Sequence, residues 1–328
     1  MHNLFDFATK ELSQDAFLRW LFENYDDPAV GKASHNLIEL FCPLQKDEYI
    51  TSVKTFAQLN KIDITVQIET SLGRKIKLFI EDKTFSNEHN QLSVYDKFID
   101  DINDYEVYKI FYKTNLIDDE EQKRIQNVND TNKTDWKIYD IYRIYGFFSK
   151  YISSDNLILS QYSEYITQIY KAITNTKKPQ DNQTNLHFLQ WQAYFRNVVI
   201  PALKGNGRSY QCSTWKAGQF PYVVLYIKKS GYGDRKIPYL EIQSRDCLNN
   251  NFIARILCHE IAPSDINQQN VLIKNIMSHP QLECKGLRKN PKQVGTSRKG
   301  LKANTDEQFI DIVEKHISYY MQVMKDWN

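Results

Sequence analysis

The chain has 328 residues, 41% of them hydrophobic and 25% charged, a globular composition long enough for about two domains of roughly 150 residues each. Lysine and arginine total 42 against 40 acids, and the resulting +2 names no charged partner. No run approaches the ~18 apolar residues of a membrane span, and the opening Met1-His2-Asn3-Leu4-Phe5-Asp6 carries an acid where a secretory leader has a basic region. Five scattered cysteines with no CxxC pair argue against a disulfide framework and a zinc site, so the expectation is a cytoplasmic protein without a membrane partner.

Ser13 is placed to cap a helix over 14–25, because Ala16, Phe17, Trp20 and Leu21 share one face. Leu37, Ile38, Leu40 and Phe41 predict a short helix over 34–42. The period then changes from 3.6 to 2. Ile62, Ile64, Val66 and Ile68 alternate with Asp63, Thr65, Gln67 and Glu69, and Ile76, Leu78 and Ile80 with Lys77, Phe79, Glu81 and Lys83, so each segment reads as a strand with one buried face. Ser71-Leu72-Gly73 between them suits a three-residue hairpin loop with its glycine left-handed. A helix capped by Ser86 is predicted over Asn87–Asp101, followed by a core strand over Val107–Thr114 reached by that crossover. Helices are predicted over 138–152, 160–173, 186–203, 267–277 and 306–327, and strands over 222–227 and 238–243.

The hairpin carries the chemistry. A loop at 71–73 sets Asp63 opposite Glu81, with Cβ atoms about 4.5–5.5 Å apart, and Lys83, two residues on, projects from the same face. Two facing carboxylates repel unless a cation or a proton lies between them. Mg2+ meets that need, being hard, oxygen-seeking and commonly held by one or two carboxylates plus phosphate.

Ile62-Asp63 followed by Glu81-Asp82-Lys83 resembles the signature of the PD-(D/E)xK nuclease superfamily, an acid on one strand and [DE]-x-K at the end of the next, although isoleucine stands where the eponymous proline would be. Gln91-Leu92-Ser93-Val94-Tyr95 is similar to the Q-xxx-Y element of its RecB-like branch. The segment from Glu11 to Leu21 resembles a bacterial branch in which an acid precedes the first helix and joins the metal site. The resemblance spans roughly residues 5–150 and implies an α/β, restriction-endonuclease-like core, a mixed sheet flanked by helices. It further implies hydrolysis of DNA phosphodiester bonds with Mg2+ or Mn2+ as cofactor, in a setting such as restriction or phage defence. Asp63 and Glu81 would bind the metal, Lys83 would assist the attacking water, and Glu11, Gln91 and Tyr95 would complete the catalytic set. Asp82 is expected on the other face.

The remainder is unlike the front. Residues 1–175 hold 20 basic and 28 acidic side chains, a net −8, whereas 176–328 hold 22 and 12, a net +10. Two domains are therefore expected, a nuclease-like one over 1–175 and a basic α+β one over 186–328, separated by a polar stretch from Thr174 to Asn185. The run 285–302 has seven basic residues and no acid: Lys285, Arg288, Lys289, Lys292, Arg298, Lys299 and Lys302. It is the candidate nucleic-acid-binding segment. Two other readings fit the same residues, a catalytically inactive nucleic-acid-binding protein that keeps the nuclease fold, and a protein-interaction adaptor. No histidine pair falls at HExxH spacing, and no P-loop or G-x-S-x-G is present.

Overall fold

The computed structural model of the chain describes residues 3–7, 11–84, 86, 90–99, 104–117, 119–179, 186–203, 210–217, 220–227, 239–246, 251–258, 266–284, 292–297 and 301–325. The chain divides into two compact units, Met1–Lys171 and Ala172–Asn328. The first unit contains α1 (Glu11–Glu23), α2 (Gly31–Phe41), β1 (Ile50–Leu59), β2 (Ile62–Thr70), β3 (Lys75–Lys83), α3 (Leu92–Ile99), β4 (Glu106–Lys113), α4 (Asp119–Asn132), β5 (Trp136–Tyr139), α5 (Ile141–Phe148) and most of α6 (Leu157–Ile173).

Its five strands form one mixed sheet in the order β1-β2-β3-β4-β5. The hairpins β1–β2 and β2–β3 are antiparallel, while β4 and β5 add in parallel after helical crossovers. Gly73 has φ +75°, and the turn closes with the Thr70 amide on the Arg74 carbonyl at 3.2 Å, as a left-handed loop glycine requires. The ladder from Glu69 opposite Lys75 to Ile64 opposite Ile80 keeps one register throughout and ends one step short of Asp63 and Glu81.

Helices cover both faces. α1 packs across β1, β2 and β3 on the aliphatic side, where Ile64, Val66, Ile68, Ile76, Leu78 and Ile80 are sealed from solvent. On the other side α3 and α4 bury Ile62, Phe79, Phe111 and Trp136 together with Tyr95, Ile99 and Ile125. The expectation of one buried face is thus corrected: in β3 every residue after Lys75 is buried, including Lys77, Glu81 and Lys83. Two boundaries also differ. Ser13 lies inside α1 and does not cap it, since the helix already runs from Glu11. α3 begins at Leu92, because Asn90, at φ +63°, departs from helical geometry, and the Ser86 hydroxyl binds Glu11 instead of capping α3.

The second unit contains α7 (His187–Tyr194), a π-helical turn (Phe195–Val199), α8 (Ile200–Leu203), β6 (Tyr210–Ala217), β7 (Phe220–Ile227), β8 (Tyr239–Asp246), β9 (Asn251–Cys258), α9 (Ile266–Ser278), β10 (Leu282–Cys284), β11 (Lys292–Ser297), β12 (Leu301–Lys302) and α10 (Asp306–Val323). Its strands form an antiparallel sheet in the order β10-β11-β9-β8-β7-β6, with β12 also on β9. The helix predicted over 186–203 is interrupted by the π turn just before Pro201, a residue with no amide to continue the i→i−4 ladder. Trp191, Tyr194, Phe195, Phe252 and Phe309 head its core. Among the described residues no helix is long and apolar enough to cross a membrane.

Candidate active site

Asp63, Glu81 and Lys83 meet where the β2–β3 ladder ends. The Lys83 Nζ lies 2.5 Å from Glu81 Oε1 and 3.7 Å from Asp63 Oδ2. Glu81 is wholly enclosed and Lys83 nearly so, while Asp63 keeps 22% of its side chain exposed, so the cluster opens to solvent at Asp63. Burial pushes the Glu81 carboxyl up to about 8, and the Asp63 charge adds to the rise against the opposing pull of Lys83. Burial alone would lower the Lys83 ammonium, but Glu81, Asp63 and Glu11 outweigh it and raise it. At neutral pH Lys83 therefore carries its charge, and the cluster has more carboxyl groups than cations to balance them.

The first turn of α1 closes over the end of β3. Glu11 accepts the Thr84 amide at 3.3 Å and the Ser86 hydroxyl at 2.5 Å, which brings it beside the cluster as a clamp on the chain leaving β3. Asp82 points to the opposite face, as strand alternation requires. There it is fully buried, hydrogen-bonded by the Gln14 amide nitrogen and set against Asp15. Burial raises Asp15 to about 6 against the opposing pull of its hydrogen bond with Asp82, and burial followed by the Asp15 charge raises Asp82 as well. Asp82 also serves the cluster through its backbone: its amide donates to Asp63 Oδ2 at 2.9 Å and its carbonyl accepts Lys83 Nζ at 3.2 Å.

Gln91 and Tyr95 lie together at the start of α3, the Gln91 amide donating to the Tyr95 hydroxyl at 3.3 Å. Tyr95 is buried in the same cluster as Ile62, next to Asp63 in β2, and Phe79, two residues before Glu81 in β3. Sequence reasoning missed three further groups. Gln14 and Asp15 are polar residues on the buried side of α1, and Gln14 sits four residues before Leu18 and seven before Leu21, on the apolar stripe. Lys113 pairs with Lys83 in the parallel ladder, and its ammonium, 2.5 Å from Glu121 of α4, is entirely enclosed. Only the parallel register reveals that neighbour.

The basic run contributes little to the described structure. Lys302 is exposed in β12, and Lys292 lies in β11 with its side chain outside the described residues. Lys285, Arg288, Lys289, Arg298 and Lys299 lie outside the described residues altogether.

Among the described residues no group of three or more His, Cys, Asp or Glu side chains is arranged to hold a metal ion. A cation here would rest on the pair Asp63 and Glu81. That donor set still suits a hard ion: its ligands are oxygens only, and the buried Glu81 Oε2 has no hydrogen-bond partner. Comparison of the chain with protein-family models, with curated proteins and with solved structures gave no match in any of the three.

Proposed function

We propose that the protein is a metal-dependent nuclease that hydrolyses phosphodiester bonds of DNA, with a restriction-endonuclease-like core in the first unit. The observation that carries this reading is the convergence of Asp63, Glu81 and Lys83 at the ends of two interior strands, two carboxyls and an ammonium within ion-pair reach in a cluster open at Asp63. Asp63 and Glu81 would hold Mg2+ or Mn2+, whose contribution would be to polarise the scissile phosphate and activate water. Lys83, kept charged by its acids and oriented by the Asp82 carbonyl, would neutralise phosphate oxygens and position the attacking water. Glu11 would hold the strand end, and Gln91 with Tyr95 would border the site from α3. The second unit, net +10, would supply attraction to the phosphate backbone that the first unit, net −8, would not.

The test is incubation of the full chain with linear and circular, single- and double-stranded DNA, with an RNA arm, in Mg2+ or Mn2+ against EDTA. Cleavage is expected with metal and lost with EDTA. Glu81→Ala and Lys83→Ala should each abolish it while the circular dichroism spectrum stays that of the parent. Cleavage by Glu81→Ala at the parent rate would overturn the assignment.

A further inference from the structure

We propose that Gln14 is a positioning residue for the Asp63–Glu81–Lys83 cluster, acting from the opposite face of the sheet through the side chain of Asp82. The functional part of this inference rests on the nuclease reading; the structural part stands without it.

Asp82 links the two faces of the sheet, because its backbone and its side chain face different sides. Its backbone amide and carbonyl hold Asp63 at 2.9 Å and Lys83 at 3.2 Å, two of the three site residues. Its carboxyl, on the far face, is gripped by Gln14 of α1. Gln14 is itself fixed at its other end, where its Oε1 accepts the Tyr162 hydroxyl at 3.2 Å, and that hydroxyl lies 3.2 Å from the hydroxyl of Tyr112 in β4. The amide is thus oriented by a buried chain running from β4 through α6 and α1 to β3. Two residues further along, Glu11 of the same helix takes the Thr84 amide. α1 therefore grips the chain on both sides of Lys83, by side chain at 82 and by backbone at 84.

Helix attachment alone does not call for this arrangement. Phe17, Leu18 and Leu21 already bury α1 against its surroundings, and a buried amide set against two carboxyl groups costs more than an apolar contact of the same volume. What the polar link adds is direction: it fixes the rotation of the 82 peptide units that point at Asp63 and Lys83. Displacement of a reacting group by about 1 Å can cost on the order of 100-fold in rate.

The experiment compares parent, Gln14→Met, Asp82→Asn and Asp82→Ala in the full chain. Metal-free protein is read by amide hydrogen exchange at 81–84 against 76–80, and cleavage by kcat and KM separately at saturating Mg2+. Gln14→Met keeps the volume and removes the hydrogen bonds. It should speed exchange at 81–84 at least tenfold with 76–80 unchanged, and lower kcat about 10- to 100-fold with KM within threefold. Asp82→Asn keeps an acceptor for Gln14 and should lie closer to the parent than Asp82→Ala in both exchange and kcat, whereas Asp82→Ala should follow Gln14→Met. Should Gln14→Met not fold, Gln14→Asn, which withdraws the amide by one methylene, is read in the same way. Exchange at 81–84 unchanged in the Gln14 variant overturns the proposal, as does a kcat per folded molecule equal to the parent's. A parent that neither cleaves nor binds Mg2+ overturns the nuclease reading instead, and the exchange comparison then still decides the positioning role.

Discussion

Glu81 has no exposed side-chain surface, yet it faces a second carboxylate, and the two facts set a pH dependence. Its carboxyl is raised from the usual 4.5 to about 8 in the folded chain, so between those values the folded state binds a proton that the unfolded state has released. The corresponding stability is fully present below about pH 4.5 and is lost as pH rises through about 8, with a slope of at most about 1.4 kcal/mol per pH unit. Metal-free parent should therefore lose urea resistance across that window, and Glu81→Gln should lose less, the difference between the two curves isolating this group from Asp15 and Asp82. Equal slopes would mean that Glu81 is already ionised at low pH. A cation bound by Glu81 competes with the same proton. Stabilisation of the parent by Mg2+ should accordingly grow up to about pH 8 and be absent from Glu81→Gln at every pH. The pairing behind these effects was legible in the sequence, because a three-residue loop fixes which residues face each other. The depth of burial was not, since it comes from α3 and α4 folding over a face whose own residues read as polar.

Among the elements, the hairpin between β1 and β2 brings together three non-glycine residues at positive φ, Gln58, Asn60 and Lys61. Asn60 and Lys61 occupy its two turn positions with φ +55° and +70°, directly between the pair Leu59 opposite Ile62. Both angles belong to the left-handed region that a two-residue hairpin requires and that suits Asn-Gly far better than Asn-Lys. Lys61→Gly should stabilise the protein by roughly 0.5–1 kcal/mol, read as a rise of a few degrees in the unfolding midpoint. A fall would show that Lys61 makes a compensating contact. At the other end of the same scale, Asp96 of α3 accepts from Lys109 Nζ at 2.8 Å, Trp136 Nε1 at 3.0 Å and Asn132 Nδ2 at 2.7 Å, tying the helix of Gln91 and Tyr95 to β4, β5 and the end of α4. Asp96→Ala takes the acceptor from the Trp136 indole N–H and one acceptor from the Lys109 ammonium, which keeps Thr134 Oγ1 at 2.6 Å, and should cost about 2 kcal/mol by urea denaturation. These two joints also mark where the sequence was silent. β2 and β3 announce themselves by strict alternation. β1 does not, because it is a sheet edge with most of its residues in solvent, and its turn lacks the glycine that would signal a hairpin. α4 shows no apolar stripe, only Ile125 and Val128 reaching the core, and the four residues of β5 are too few to establish a period.

For the whole molecule, the near-neutral total conceals two units of opposite sign. Ala172 to Asn175 carry no charge, so the first unit is net −8 and the second net +10. A negatively charged unit holding the candidate site repels a polyanion over the ~8 Å Debye length of physiological salt, so on the proposed nuclease reading binding would draw on the second. Each phosphate neutralised by a lysine or arginine contributes about −0.9 to the slope of log K against log salt. If all seven basic residues of 285–302 engage phosphate, the parent should lose roughly 6,000-fold in duplex affinity between 50 and 200 mM salt. Neutralising Arg288, Lys289, Arg298 and Lys299 together should then make the slope shallower by about 3 to 4, measured by fluorescence anisotropy on a labelled duplex in EDTA so that no cleavage intervenes. The same variant should raise KM steeply at physiological salt and leave kcat near the parent's, because these side chains contribute attraction and not chemistry. An unchanged salt slope would move the phosphate contacts to other residues. A kcat that falls with KM unchanged would mean that the basic run acts at the bond being broken.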